Sequence, residues 1–201
     1  MAIMRLGEKS LRGIILAGGR SRRFGSDKAM AQLGGVSMLE RAIDTLREFD
    51  DEPVIITRPD ADYHFKGCRV ERDLIPGCGP LGGLYTAFKL FRERVLLVLT
   101  CDMPVVSVAL LRRLLLEYDS HSESVHFEGI GGQTEPFPGL YSTSLSPRAE
   151  ELLKSKQYSV RNFISSCDHI KILDGEEFQN ELSNINHRFE FERLNSSGLS
   201  S

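Results

Sequence analysis

The residues with the plainest chemical purpose lie early in the chain, in Leu16-Ala17-Gly18-Gly19-Arg20-Ser21-Arg22-Arg23-Phe24-Gly25-Ser26-Asp27-Lys28. Adjacent glycines let the backbone approach a ligand and turn amide N–H groups toward it, as in an anion-binding nest. Arg20, Arg22, Arg23 and Lys28 against Asp27 give the stretch from Gly18 to Lys28 a charge of +3. Amides beside clustered cations suit a polyphosphate; the alternative is a solvated Arg-rich turn. The stretch is not a Walker loop, because Gly25 is followed by Ser26-Asp27-Lys28 and the Gly-Lys-Ser/Thr ending is missing.

A carboxylate complements it. Thr100-Cys101-Asp102-Met103-Pro104 follows the most apolar run of the chain. Asp102 there can hold Mg²⁺, a hard cation that takes one or two protein carboxylates together with substrate phosphates. Its alternative role is to cap the next helix. Asp73 is a second candidate of the same kind. Further along, Gly77-Cys78-Gly79-Pro80-Leu81-Gly82 satisfies G-x-G-x-x-G with Asp102 20 residues beyond. A dinucleotide fingerprint needs a buried strand running into its first glycine, and Asp73-Leu74-Ile75-Pro76 is a poor one. These glycines instead read as a tight loop that sets a helix against a flat base.

The elements that must position these residues alternate. Strands are predicted at 13–17, 53–57, 69–71, 95–100, 124–127, 137–141 and 169–173. Helices are predicted at 37–46, 81–91, 108–118, 147–155 and 159–165, from apolar spacing such as Met38, Leu39, Ala42, Ile43 and Leu46. The run Val95-Leu96-Leu97-Val98-Leu99 is apolar throughout, as in a strand buried on both faces. This order predicts an α/β fold: one doubly wound, mostly parallel sheet with helices on both faces. Asp102 and the 18–28 loop then share the carboxyl edge, where open sheets of this kind bind ligands. The last residues, 195–201, read as a frayed tail.

At 201 residues the chain can bury a full core without a disulfide or metal staple. Its net charge of −3 argues against a nucleic-acid coat or an anionic-membrane binder. Yet the other 190 residues sum to −6, so one cationic loop sits on a mildly acidic body. No apolar run reaches the ~20 residues of a membrane helix, and residues 1–12 lack a signal-peptide core. The scattered Cys68, Cys78, Cys101 and Cys167 read as reduced thiols, and the expected location is the cytoplasm.

Leu16-Ala17-Gly18-Gly19-x-Ser21-x-Arg23-Phe24-Gly25-x-Asp27-Lys28, Gly79-Pro80-Leu81-Gly82-Gly83 and Cys101-Asp102-Met103-Pro104 together resemble nucleotidyltransferases of the molybdenum cofactor guanylyltransferase type. Pro136-Phe137-Pro138-Gly139-Leu140-Tyr141 and Asn184-Ile185-Asn186 extend the likeness, which covers roughly residues 12–190. The resemblance implies a Rossmann-like nucleotidyltransferase fold over residues 1–194, with a nucleotide part at about 12–118 and an acceptor part at about 119–190. It implies transfer of GMP from GTP to the phosphate of molybdenum-molybdopterin, with Mg²⁺ as cofactor and pyrophosphate released. Other proteins of molybdenum cofactor biosynthesis, or acceptor proteins, are further candidate partners.

Carried onto this chain, Leu16, Ala17, Gly18 and Gly19 match the nucleotide loop, and Lys28 the triphosphate-contacting lysine. Arg23 joins Lys28 in offsetting charge on the pyrophosphate. Thr57 stands where the family often has Asn, Asp73 matches a guanine-nucleotide contact, and Gly82 falls in the second nucleotide motif. Asp102 matches the Mg²⁺ ligand. Gln133, Arg161, Asn184 and Asn186 are candidate acceptor contacts, with surface or turn chemistry as the alternative. The family tends to read N-x-N-T-P-E late in the chain, whereas His187-Arg188-Phe189-Glu190 follows here. Three alternatives stay open on the residues alone: a CTP- or GTP-dependent enzyme with another small phosphate acceptor, a non-catalytic nucleotide sensor, and an NAD-binding protein.

Overall fold

The structure, a computed structural model, describes residues 11–19, 27–183, 185 and 188–196. In its sheet, β1 (Leu11–Ala17) is flanked by β4 (Val54–Thr57) on one side and β6 (Val95–Thr100) on the other, both parallel to it. Ile14, Ile15, Val54, Ile55 and the whole run from Val95 to Leu99 are buried, as strands covered on both faces must be. Beyond β4 lies β5 (Arg69–Arg72), also parallel. Beyond β6 come β8 (Thr134–Ser142), β7 (Ser124–Glu128) and β9 (Ile170–Asp174), giving the order β5-β4-β1-β6-β8-β7-β9. β8 runs against both its neighbours, so one strand of seven is reversed.

Helices cover both faces of this sheet. A Cβ on Gly13 would meet Leu46 of α1 (Met38–Arg47), whereas a Cβ on Gly83 of α2 (Gly79–Leu90) would lie 3.0 Å from the Leu16 side chain. Positions 13 and 16 of one strand point to opposite faces, so α1 and α2 sit on opposite sides. α2 forms one layer with α4 (Ser146–Lys154) and α5 (Val160–Ser165). On the other side, the Thr45 hydroxyl reaches the Val106 carbonyl (3.4 Å), just ahead of α3 (Val108–Glu117). α1 begins at a capping box in which Ser37 and Glu40 each satisfy the other's backbone N–H.

The predicted elements are all present, with ends matching or shifted by up to three residues. Two features were not foreseen. A two-residue hairpin, β2 (Gln32–Leu33) and β3 (Val36–Ser37), turns at Gly34-Gly35, both at positive φ. A last helix, α6 (Arg188–Ser196), takes in Asn195 and Ser196, which the sequence reading assigned to the tail. Leu33, Met38, Ile185 and Phe191 bring the hairpin, α1 and α6 together in a small second core.

His126 lies fully buried on β7, edge-on to Tyr141, with no hydrogen-bond partner for either ring nitrogen. Burial lowers its pKa to about 3, offset only in part by the nearby Pro136 and Glu135 carbonyls. The unfolded chain therefore takes up this proton near the ordinary value of about 6.5, and the folded chain does not. Stability is expected to be full above about pH 6.5 and to fall steadily as pH drops toward 3. His126→Asn should flatten that slope by one proton. Urea midpoints for both proteins between pH 4 and 8 check this; parallel curves would overturn it.

Candidate active site

Chain order places the site. From β1 the chain moves outward to β4 and β5, then returns across the sheet to β6 on β1's other side. The carboxyl ends of β1 and β6 thus flank the switch point, where a crevice opens in sheets of this type. Leu16 pairs with Thr100, and the Cys101 N–H donates to the Leu16 carbonyl (3.2 Å). These contacts bring the two sequence motifs side by side. A cavity of about 750 Å³ occupies the edge, bordered among others by Ala17, Gly18, Lys28, Asp73, Gly79 and Asp102.

Lys28 opens a single 3₁₀ turn (Lys28–Met30) that Asp27 caps, its Oδ1 accepting from the Ala29 N–H at 3.1 Å. The turn sinks the lysine, which is only 8% exposed, and delivers Nζ to 3.4 Å from Asp102 Oδ2. The other Asp102 oxygen accepts from the Thr100 hydroxyl, and its side chain stays 29% exposed. The Asp102 carbonyl meanwhile accepts from the Ile185 N–H (3.0 Å), so the late Asn-Ile-Asn segment reaches the site through its middle residue. A carboxylate and an ammonium therefore face one another across the cavity floor.

The remaining candidates fall into groups. Leu16, Ala17, Gly18, Gly19, Thr57 and Asp73 all border the cavity. Thr57 is fully buried, and its hydroxyl donates to the Ala17 carbonyl (3.3 Å), so its side chain fixes the loop's start. Asp73 Oδ1 accepts from the Thr86 hydroxyl and the Ile75 N–H, each at 3.0 Å, which holds the turn leading into α2. Gly82 is not among the residues bordering the cavity, although Gly79, Pro80 and Gly83 on either side of it in α2 are. It faces the 73–75 turn, where a Cβ would lie 2.9 Å from the Ile75 carbonyl and 3.2 Å from Asp73 Oδ2.

This close approach makes a prediction. Gly82→Ala should cost about 1–3 kcal/mol of folding stability, since the new methyl meets backbone. It should also push the start of α2 away from the cavity. Urea unfolding measures the first effect, and nucleotide titration of the still-folded variant measures the second.

Gln133 and Arg161 are not among the residues bordering the cavity. Gln133 lies exposed in the turn between β7 and β8, and its carbonyl accepts from Gly129. Arg161 on α5 donates to the Thr134 carbonyl (3.0 Å) and pairs with Glu135 (3.3 Å), which pins α5 to the start of β8. Because β8 runs against β6, that start lies at the same carboxyl edge as Asp102. Arg23, Asn184 and Asn186 lie outside the described residues.

Sequence reasoning missed Arg58 and Tyr63. Arg58 borders the cavity and donates to the Gly19 carbonyl (3.2 Å) and to Asp27 Oδ2 (3.4 Å), while Tyr63 donates to the same Asp27 oxygen (2.7 Å). The available signal was position: Arg58 directly follows the end of a buried strand at the carboxyl edge.

The chemistry open to this site is limited. Burial, with the Asp102 carboxylate adding to it, pushes the Cys101 thiol up to about 12. It stays protonated near neutrality and is no nucleophile. Among the described residues, no three His, Cys, Asp or Glu side chains cluster as a metal cage. Asp27, Asp60, Asp73 and Asp102 border the cavity without forming such a cage, and Asp102 beside Lys28 suits a cation that arrives with its own phosphate ligands. Among the described residues no helix is long and apolar enough to cross a membrane.

The family model of the MobA-like NTP transferase domain matches residues 13–170. A probable molybdenum cofactor guanylyltransferase of Halalkalibacterium halodurans is 31% identical over 182 residues, covering 87% of this chain and 92% of the relative. Another, of Carboxydothermus hydrogenoformans, is 30% identical over 187 residues, covering 90% and 92%. Among solved structures, molybdopterin-guanine dinucleotide biosynthesis protein A of Archaeoglobus fulgidus superposes with a TM-score of 0.78 at 19% identity, covering 92% of this chain and 97% of that one. A 2-C-methyl-D-erythritol 4-phosphate cytidylyltransferase of Thermus thermophilus superposes with a TM-score of 0.71 at 16% identity, covering 93% and 98%. The two structures establish a shared nucleotidyltransferase fold. With the motifs gathered at one sheet edge and the match running through most of its length, this chain is a nucleotidyltransferase that belongs to the MobA-like NTP transferase family.

Proposed function

We propose that this enzyme transfers GMP from GTP to the terminal phosphate of molybdenum-molybdopterin. The observation that carries the reading is the Lys28–Asp102 pair at 3.4 Å on the floor of a 750 Å³ cavity at the switch point. That pair sets one cation and one metal-competent carboxylate where a bound triphosphate needs both. The relatives named as probable molybdenum cofactor guanylyltransferases support the choice of donor and acceptor.

The reaction is an in-line displacement. An acceptor phosphate oxygen forms a bond to the α-phosphorus of GTP, the bond to the bridging β-oxygen breaks, and pyrophosphate leaves with its electron pair. Both reactants carry charge, so the protein's task is alignment and neutralisation. Backbone amides of Gly18 and Gly19 suit the phosphates, and Lys28 offsets the charge that builds on the leaving pyrophosphate. Arg23 is assigned the same task, since a guanidinium fork binds phosphate oxygens in pairs. Asp102 would hold Mg²⁺, which when bound withdraws charge from phosphate oxygens. Gln133, Arg161, Asn184 and Asn186 remain the acceptor-side candidates.

Thermal shift with GTP, CTP, ATP and NAD, with and without Mg²⁺, tests the donor. Stabilisation by GTP with Mg²⁺, and pyrophosphate release only when molybdopterin is added, is the expected result. Turnover with CTP, or stabilisation without turnover on any acceptor, would overturn it.

A further inference from the structure

Gly19 and Asp27 are the two feet of the cationic stretch, with seven residues between them. One side chain spans both. Arg58 Nη1 donates to the Gly19 carbonyl at 3.2 Å, and Nη2 to Asp27 Oδ2 at 3.4 Å, while its Nε pairs with Asp60 at 3.1 Å. The buried Tyr63 hydroxyl adds a second donor to the same Asp27 oxygen at 2.7 Å. Burial and the Asp27 carboxylate raise the Tyr63 phenol well above its ordinary value, so it remains a donor at any working pH.

The brace behind these two residues is anchored as well. Arg72 on β5 donates to the carbonyls of Arg58 and Ala61, fixing the 58–61 turn against the sheet edge. On the far side, the other oxygen of Asp27 caps the turn that carries Lys28, and Lys28 faces Asp102. A continuous chain of contacts therefore runs from the sheet edge through Arg58 and Tyr63 to Asp27, and from Asp27 to Lys28.

We propose that Arg58, seconded by Tyr63, is a positioning clasp that ties Gly19 to Asp27 and thereby sets Lys28 against the triphosphate. The inference rests on the polyphosphate reading of the cationic stretch. Its physical logic is preorganisation. Fixing Gly19 and Asp27 relative to one another in advance removes an ordering cost otherwise met when the ligand binds. A guanidinium does this because its planar fork presents separate donors to two acceptors at once, which an ammonium on a flexible stem does less well.

The test compares wild type with Arg58→Ala, Arg58→Lys, Tyr63→Phe, Asp27→Asn and the Arg58→Ala/Asp27→Asn double variant, all as the full chain. Asp27→Asn retains an oxygen to cap the Lys28 turn but loses the charge facing Arg58. Hydrogen–deuterium exchange without ligand reads the clasp directly. Arg58→Ala should speed exchange about tenfold at residues 28–31 while the sheet stays protected; unchanged exchange there overturns the proposal.

Kinetics supply the second arm. Arg58→Ala should raise the KM for nucleotide about tenfold and leave the acceptor KM unchanged. Tyr63→Phe should move it the same way by about threefold. Because Arg58 acts through Asp27, the double variant should be no worse than the worse single variant. Multiplying effects would mean that Arg58 meets the nucleotide independently, and would overturn the clasp. So would full recovery in Arg58→Lys. Should wild type transfer no nucleotide to any acceptor, the proposed function fails, while the exchange arm still decides the clasp.

Discussion

Asp102→Ala is expected to lower kcat/KM for nucleotidyl transfer by about 10³-fold or more while leaving the protein folded. The size follows from what the carboxylate contributes. If it anchors the cation that neutralises the reacting phosphates, its loss removes several kcal/mol of transition-state stabilisation, and about 1.4 kcal/mol is a factor of ten. The fold should survive because both of the side chain's partners lie at the cavity. Thr100 and Lys28 both border the same cavity and can turn to water once the carboxylate is gone. A second long-range bond at this position belongs to the backbone, where the Asp102 carbonyl accepts from Ile185, and alanine keeps it. Pyrophosphate release against Mg²⁺ concentration, with a thermal melt beside it, makes the check. Near-normal turnover at ordinary Mg²⁺ would remove Asp102 from the chemistry.

The position of Asp102 could be read from the sequence because one physical rule governs it. A strand that is apolar at every position must be central, and a residue just past its carboxyl end must lie at the ligand-binding edge. Val95–Thr100 obeys that rule, and so does the run ending at Ala17. What the rule does not carry is lateral placement. It says that Gly18 and Asp102 share an edge, whereas the pairing of Leu16 with Thr100 makes them neighbours.

Other features were hidden for separate reasons. The β2–β3 hairpin has strands of two residues, too short for any period to register, although Gly34-Gly35 is a recognised turn pair. β8 begins three residues earlier than its apolar pattern, because Thr134, Glu135 and Pro136 are only partly buried. Gly82 matches the second nucleotide motif, and within the fold the close contact it permits is with the protein's own Ile75 carbonyl. A glycine motif reports that something comes close, and only the fold says what. Arg58 and Tyr63 escaped notice because their partners are a backbone carbonyl and a carboxylate distant in sequence, which no local spacing reveals.

Lys28→Ala should lower kcat/KM by about 10²-fold, and it separates two roles that the Lys28–Asp102 pair combines. Without ligand, the ammonium is a cation already seated 3.4 Å from the carboxylate, where a metal would otherwise be drawn. Removing it takes away a like charge from the neighbourhood of any incoming cation, so divalent-ion binding to the free protein should tighten. Removing it also deprives the leaving pyrophosphate of its counter-charge, so turnover should fall. Rate and metal affinity therefore move in opposite directions, whereas a merely structural lysine would weaken both through disorder of the cavity floor. Mn²⁺ titration without nucleotide, followed by pyrophosphate release at saturating Mg²⁺, distinguishes the cases. Tighter metal binding with unimpaired turnover would leave Lys28 as a placeholder on Asp102 and no more. Its burial in a turn capped by Asp27, itself held by Arg58 and Tyr63, argues for the larger role: many contacts act together to aim one ammonium.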